Sequence, residues 1–139
     1  MTIPTILVPA HDEASVIERT LKHMRIGMWP GEFLIVVIAN ACTDNTAAIA
    51  RQVAPEAIVI ETPRVGKTHA LNIGRLAAPP EAPIIFLDAD LDVTVESLRA
   101  LVAPLCRGTA LAACGRMEVL SDASSPIGRA CYRGWRLSP

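Results

Sequence analysis

Short apolar runs alternate with longer amphipathic segments along this chain of 139 residues, and this alternation constrains the fold more than any other feature. The runs are rich in Ile, Val and Leu, which is typical of strands buried on both faces of a parallel sheet. The segments between them repeat apolar residues at helical spacing. Strands that alternate with helices predict right-handed βαβ units, and therefore an α/β fold with a mostly parallel, doubly wound sheet in a single domain.

The pattern gives approximate bounds for each element. Strands are predicted over residues 3–8, 33–39, 57–60, 84–87 and 109–114, the last running on through 117–120. Helices are predicted over residues 13–26, from about 44 to 54, over 68–76, from 95 to 105, and over 129–136. Asp12 is predicted to cap the first helix and Thr94 the fourth, because short polar side chains cap helix N-termini. The inward face of the third helix is predicted to carry Ala70, Leu71, Ile73 and Leu76.

Charge and cysteine usage exclude several classes of protein. The net charge is −1, so there is no basic field of the kind that attracts nucleic acid. The four cysteines have no zinc-site spacing, which predicts reduced thiols, with Cys114 in the core. Residues 1–13 lack the basic start and the uninterrupted apolar run of a signal peptide, and no apolar run approaches the roughly 18 residues that span a membrane. We therefore expect a cytoplasmic protein, with peripheral contact to the inner membrane face as the alternative.

Three carboxylates follow the fourth predicted strand at intervals of two residues, at Asp88, Asp90 and Asp92. In an open parallel sheet, ligands bind at the carboxyl ends of the strands. Closely spaced acids repel one another, so one interpretation places a divalent metal and a phosphorylated ligand among them. The other interpretation is a solvated turn in which Asp92 caps the next helix.

Polar turns also follow the first three predicted strands, at residues 9–13, 40–44 and 64–67, and all should face one crevice. Short polar groups near Asn40 suit the edge of a nucleobase or a ribose. Arg64 and Lys67, close to a helix N-terminus, suit a phosphate. Sharper phosphate motifs are excluded, because a P-loop would need Gly where Glu61 stands and no GxGxxG follows the first strand.

Four of these segments, in order, resemble the nucleotide-sugar-binding half of family 2 glycosyltransferases. Residues 6–13 are similar to the family's opening strand and its Pro-x-x-Asn-Glu turn, with Asp12 in the Asn place. Residues 36–46 resemble the Asp-Asp-Gly-Ser-Thr-Asp-x-Thr segment, although Ala39 and Asn40 replace the acid pair. Residues 66–72 match Gly-Lys-x-x-Ala-Leu-Asn, and residues 87–90 match the DXD motif. The resemblance covers Ile3 to about Leu120.

The resemblance implies a fold and a function. The expected fold is the three-layer α/β/α GT-A fold of nucleotide-diphospho-sugar transferases. The expected activity is transfer of a glycosyl group from a UDP- or GDP-linked sugar, with Mn²⁺ or Mg²⁺ as cofactor. The acceptor is unknown, and a glycan, a lipid and a small molecule all stay open.

The resemblance also assigns roles to individual residues. The nucleoside pocket would be lined by Pro9, Ala10, His11 and Glu13. Asn40 would meet the base, and Lys67 would approach the base or the diphosphate. Asp90 would ligate the metal, and Asp88 would be a second metal ligand or contact the ribose or a metal-bound water. The resemblance leaves two alternatives open for Asn72, a buried side chain bonded to backbone or a ligand contact.

The carboxyl-terminal part of the sequence departs from the family pattern. The acids after Glu96 are Glu118 and Asp122, and neither lies in a motif for the general base that an inverting transfer needs. We therefore predict one domain over residues 1–139, with a core over 1–120 and the start of a missing acceptor half over 121–139. The alternative function is a non-catalytic nucleotide-sugar-binding or interaction domain. Apolar surface left by the missing half predicts either a homo-oligomer, such as a dimer, or poor solubility.

Overall fold

The computed structural model describes residues 2–115, in which strands and helices alternate as predicted. The elements are β1 (Thr5–Ala10), α1 (Ile17–Arg25), β2 (Leu34–Asn40), α2 (Thr46–Val53), β3 (Ile58–Thr62), α3 (Lys67–Ala77), β4 (Ile84–Phe86) and α4 (Val95–Cys106). No helix in this part of the chain is long and apolar enough to cross a membrane.

The strands of the described part form one parallel sheet in the order β3-β2-β1-β4. Leu7 of β1 pairs with Val36 of β2 on one side and with Phe86 of β4 on the other. Along the chain, strands are thus added on one side of β1 as far as β3, and β4 is then added on the other side of β1. The strand order therefore reverses between β1 and β4. In doubly wound sheets, ligands bind in the crevice at the carboxyl ends of the two strands that flank such a reversal.

The two faces of the sheet are covered unequally. Ile6 and Val8 of β1 point into the larger core, which is built with α1, α2 and α4. Leu7 points to the other face, where it packs with Val36, Ile38 and Ala70 of α3. Helices therefore lie on both faces of a parallel sheet, which confirms the predicted doubly wound α/β class.

Gly74 allows α3 to lie unusually close to the sheet. A Cβ atom at this position would stand 2.7 Å from Cδ1 of Ile38 and 3.2 Å from Cδ2 of Leu7. Real Cβ atoms essentially never approach another atom to 2.7 Å, so a side chain here would require Ile38, Leu7 or the helix to shift. The inward position that the sequence analysis gave to Leu76 belongs to Gly74 instead, and Leu76 is exposed.

Pro9 lies inside β1, although proline breaks the hydrogen-bond ladder of a central strand. Thr5 N donates to Pro83 O and Leu87 N donates to Leu7 O, so the odd residues of β1 direct their backbone groups toward β4. The pairing of β1 with β4 ends at Leu7 and Phe86. The missing N–H of Pro9 therefore falls just beyond the paired part of β4.

Several predicted bounds are wrong. The first strand covers residues 5–10 rather than 3–8, and the first helix begins at Ile17 rather than near residue 13. Asp12 does not cap that helix, because its backbone has a φ of 53° and its carboxylate binds another turn. The fourth strand is not buried on both faces either, since Phe86 is exposed on this strand, which lies at the edge of the sheet formed by the described residues.

The predicted fifth strand is also wrong where the structure describes it. Residues 109–114 form no strand, and Leu111 and Cys114 are exposed rather than buried. The run is apolar but rich in Ala and poor in β-branched residues, so it has little preference for a pleated strand. The continuation over residues 117–120 and the helix over 129–136 lie outside the described residues.

Candidate functional site

An open cleft of about 400 Å³ lies at the carboxyl ends of the strands, beside the reversal between β1 and β4. We call it the switch-point cleft. Its lining residues are Pro9, Ala10, His11, Glu13, Asn40, Val65, Gly66, Lys67, Asp88, Ala89 and Asp90. The structure thus brings together the eight residues to which the resemblance assigned binding roles, although their individual roles stay predictions. Arg64, which the sequence analysis also matched to a phosphate, does not line the cleft.

A second and larger cleft, of about 590 Å³, lies beside the amino end of β2. Ile26, Trp29 and Phe33 line it, and the guanidinium of Arg99 stacks 4.8 Å from the centre of the Trp29 ring. Arg99 also donates to both carboxylate oxygens of Glu32, which lowers the pKa of that carboxyl. None of the predicted site residues lies here, so size alone does not mark the functional cleft.

His11 joins the ends of the first two strands on one side of the switch-point cleft. Its Nδ1 lies 2.7 Å from the backbone oxygen of Asn40. A carbonyl oxygen only accepts hydrogen bonds, so Nδ1 must carry the proton. In the neutral ring, Nε2 is then left as a hydrogen-bond acceptor for a ligand.

The side chain of Asn40 is the buried polar group of the switch-point cleft. It is only 5% exposed, and its Oδ1 has no hydrogen-bond partner among the described residues. A buried unpaired oxygen costs about 1–3 kcal/mol. A ligand that donates an N–H to Asn40 would recover that free energy, and a nucleobase edge carries such a group.

Lys67 and Asp88 form an ion pair across the cleft. Lys67 is the first residue of α3, whose unpaired backbone N–H groups face the same region. The two side chains are 61% and 51% exposed, so water screens the pair. Asp90 also lines the cleft and takes part in none of the ion pairs that the structure describes.

Asp92 does not belong to this group of acids. Its Oδ1 lies 2.6 Å from Nδ1 of His23 on α1, outside the cleft. It does not cap α4 either, because Thr94 does so by accepting from Ser97 N at 3.3 Å, as predicted. Both interpretations of the acidic triplet therefore need correction, and Asp88 and Asp90 alone face the cleft.

Asn72 follows neither of its predicted alternatives. It is exposed on α3, which excludes a buried side chain bonded to backbone. It also does not line the switch-point cleft.

A network that the sequence analysis missed ties the turn after β1 to the turn after β2. We call this network, made by Asp12, Asp44 and Thr46, the turn clamp. Asp12 Oδ1 accepts from Thr43 N at 2.6 Å, and Asp44 Oδ2 accepts from Ala14 N at 3.0 Å. Thr46 Oγ1 accepts from Glu13 N at 2.9 Å.

Hydrogen bonds within the clamp lower the pKa of Asp44. The largest cause is the hydroxyl of Thr46, followed among the lowering causes by the backbone N–H groups of Thr46 and Ala14; partial desolvation opposes them. The ionised carboxylate is therefore the form that the clamp stabilises.

The turn clamp has the spacing of a metal site without the chemistry of one. Ligand atoms of Asp12, Cys42 and Asp44 all lie within 4.8 Å of one another. The carboxylate oxygens, however, already accept backbone N–H groups, which compete with a cation for the same lone pairs. Cys42 Sγ is likewise engaged, with Ala10 O at 3.4 Å. We therefore interpret the clamp as structural.

Comparison with known proteins supplies the context for this geometry. The sequence model of "Glycosyl transferase family 2" matches residues 5–133. No curated protein sequence matches the chain.

Solved structures share the fold. Glucosyl-3-phosphoglycerate synthase from Mycobacterium tuberculosis, solved with Mn²⁺, UDP and glucosyl-3-phosphoglycerate, has a TM-score of 0.64 at 23% identity over 75% of this chain. The same synthase was also solved with Mg²⁺ and UDP, with a TM-score of 0.63 at 24% identity over 75% of this chain and 39% of its own. TarS from S. aureus has a TM-score of 0.66 at 19% identity, over 88% of this chain and 24% of its own. This chain spans 39% of the length of the synthase.

Proposed function

The chain belongs to glycosyl transferase family 2 and has the GT-A fold expected from its motifs, and from this premise we propose that it binds a nucleotide-diphosphate sugar and a divalent metal for glycosyl transfer. One observation carries the proposal. Eight residues from four separate segments, each named for this function, line one cleft at the reversal point of the sheet. We assign the donor-binding core to residues 1–120 and take the donor to be UDP- or GDP-linked.

The nucleoside would lie against the turn after β1 and the end of β2. Pro9, Ala10, His11 and Glu13 form one wall of the cleft. The unpaired Oδ1 of Asn40 would accept an N–H from the base. The turn clamp lies directly behind this wall, since Glu13 N donates to Thr46 Oγ1. Base recognition would therefore occur on a surface that the protein fixes before the ligand arrives.

The diphosphate and the metal would occupy the other side of the cleft. Carboxylates suit hard divalent cations, and Asp88 already holds a cation, the ammonium group of Lys67. Asp90 would ligate Mn²⁺ or Mg²⁺, and Asp88 would ligate the same metal or hold the ribose or a metal-bound water. When bound, the metal would neutralise charge on the departing diphosphate. The N-terminus of α3 offers backbone N–H groups to the same phosphates.

The acceptor and the general base are not assigned to residues of this chain. The acids that line the described cleft are Glu13, Asp88 and Asp90, and we assign all three to the donor. This favours, as a second candidate, a domain that binds the donor without catalysing transfer. Hydrolysis or transfer of a nucleotide sugar by the purified chain would exclude that candidate.

Calorimetry with UDP and GDP, with Mn²⁺, with Mg²⁺ and with EDTA tests the proposal. We expect metal-dependent binding of at least one nucleotide, and an affinity loss of about tenfold or more in Asp90→Ala, in line with the loss of a charged ligand group. Asp92→Ala is the matched control, because it removes an acid two residues away that faces α1. Equal affinity with and without metal would contradict the metal role.

A further inference from the structure

We propose that Lys67 is a resident counter-ion of Asp88, which an arriving divalent metal displaces and which then binds the diphosphate. This inference rests on the proposed function and deepens it. In this proposal, the ion pair between Lys67 and Asp88 is the arrangement of the site when no metal is bound. Lys67 would thereby couple metal binding to nucleotide binding.

The geometry places the ammonium group in competition with the metal. Lys67 Nζ contacts Oδ1 of Asp88, one of the two cleft carboxylates assigned to the metal. A metal ion bound to the same oxygen would stand within a few ångströms of the ammonium, and the two positive charges would repel each other. Because Asp90 has no ion pair among the described residues, metal binding requires displacement of Lys67 from Asp88 alone.

The exposure of the pair makes the displacement easy. Both side chains are more than half exposed, and exposed ion pairs contribute little to stability. The lysine side chain is long and flexible, so its ammonium group can turn while the backbone stays at the first position of α3. We expect the competition to weaken metal binding in the absence of nucleotide by about two- to fivefold.

The displaced ammonium group supplies the coupling. The diphosphate would attract Lys67 away from Asp88, so that a metal arriving with nucleotide meets no competing cation. By linkage, bound nucleotide must then raise the affinity of the protein for the metal. This gain must exceed the part that comes from attraction between the metal and the diphosphate alone. Removal of the ammonium group should therefore have opposite effects on two binding steps, which a merely structural role would not produce.

The first measurement is Mn²⁺ binding without nucleotide, followed by the electron paramagnetic resonance signal of free Mn²⁺. We expect Lys67→Met to bind Mn²⁺ about two- to fivefold more tightly than wild type. Arg51→Met is the matched control, because the Arg51–Glu61 pair has similar exposure, 51% and 61%, and the change in charge is the same. The control should leave Mn²⁺ affinity within the experimental error of wild type.

The second measurement repeats the Mn²⁺ titration with saturating UDP. Wild type should gain more Mn²⁺ affinity from UDP than Lys67→Met does, by at least the factor that separates them without UDP. Mn²⁺ affinity without nucleotide that is equal in both proteins would overturn the counter-ion role, even if UDP binding by wild type requires metal. If UDP binding by wild type does not depend on metal, the proposed function itself fails.

Discussion

Two groups of carboxylates lie at the same edge of the sheet, and they are used in opposite ways. In the turn clamp, Asp12 and Asp44 accept backbone N–H groups from the neighbouring turn. In the switch-point cleft, Asp88 meets only the exposed ammonium of Lys67, and Asp90 meets no cation in the described part of the chain. Carboxylates that accept backbone N–H groups are therefore committed to structure, whereas those left to solvent remain available to a ligand.

The same contrast extends to backbone strain. The clamp turns contain two non-glycine residues with left-handed backbone, Asp12 with a φ of 53° and Ala41 with a φ of 49°. In the loop before α3, which lines the cleft, the residue with a positive φ is a glycine, Gly66, at 135°. Strained residues persist where surrounding contacts over-determine them. The clamp supplies such contacts for Asp12, and Ala41 N donates to Thr62 O. Hydrogen bonds between the turns thus hold the side of the cleft that carries His11 and Asn40, whereas the side that carries Lys67 and Asp88 has no such network among the described residues.

The largest effect should come from the buried hydroxyl of the clamp. Thr46→Val keeps the shape of the side chain, but it leaves Glu13 N without its acceptor and Asp44 without its hydroxyl donor. We expect the free energy of unfolding to fall by about 2 kcal/mol, the cost of an unsatisfied buried group. Asp88→Asn in the cleft should change it by less than about 0.5 kcal/mol. Urea unfolding measures the free energy of unfolding of both variants. Equal losses in the two would contradict the division between carboxylates committed to structure and carboxylates available to a ligand.

The sequence predicted the cleft residues because topology alone brings them together. Once strands and helices alternate, the residues after each strand must meet at one edge, so Asn40, Lys67 and Asp90 could be grouped without coordinates. The clamp could not be predicted in this way. Its bonds join residues about thirty positions apart, such as Asp12 and Thr43, and local patterns do not encode such pairs.

Packing on the second sheet face escaped prediction for a related reason. Helical periodicity favours large apolar residues for the inward face of α3, and it therefore selected Leu76. The actual contact is set by how closely the helix approaches Ile38, which depends on the absence of a side chain at Gly74. A glycine inside a helical pattern is the one local signal of close approach.

The dependence of stability on pH below neutrality offers a test whose expected effect is of intermediate size. The clamp lowers the pKa of Asp44, so its stabilisation is complete above the ordinary carboxyl pKa of about 3.9 and is lost as pH falls through the lower folded value. Asp44→Asn should be less stable than wild type at neutral pH, and the difference should shrink below about pH 4. Thermal unfolding between pH 2 and pH 7 follows this difference, with Asp90→Asn as the cleft control. A constant difference across that range would show that the carboxylate charge is not what the clamp uses.

The smallest effect concerns strain at Ala41. Its Cβ is disfavoured in the left-handed region by about 1–2 kcal/mol, while glycine at the same place costs about 0.5–1 kcal/mol of backbone entropy. Ala41→Gly should therefore raise the free energy of unfolding by about 0.5 kcal/mol. Ala39→Gly is the control, because Ala39 is buried in β2 and the same change there should destabilise the protein.

Urea unfolding of the two glycine variants decides whether the clamp turn holds strain. If the free energy of unfolding rises in Ala41→Gly and falls in Ala39→Gly, the strain lies in the turn after β2, because both variants lose the same methyl group. Losses of the same sign would mean that the hydrogen bond from Ala41 N to Thr62 O, 2.7 Å long, needs the restricted backbone of alanine. In that case the turn is held by restriction of the chain rather than by contacts that oppose strain, and the geometry of the cleft side that carries His11 and Asn40 would depend on Ala41 as much as on Asp12.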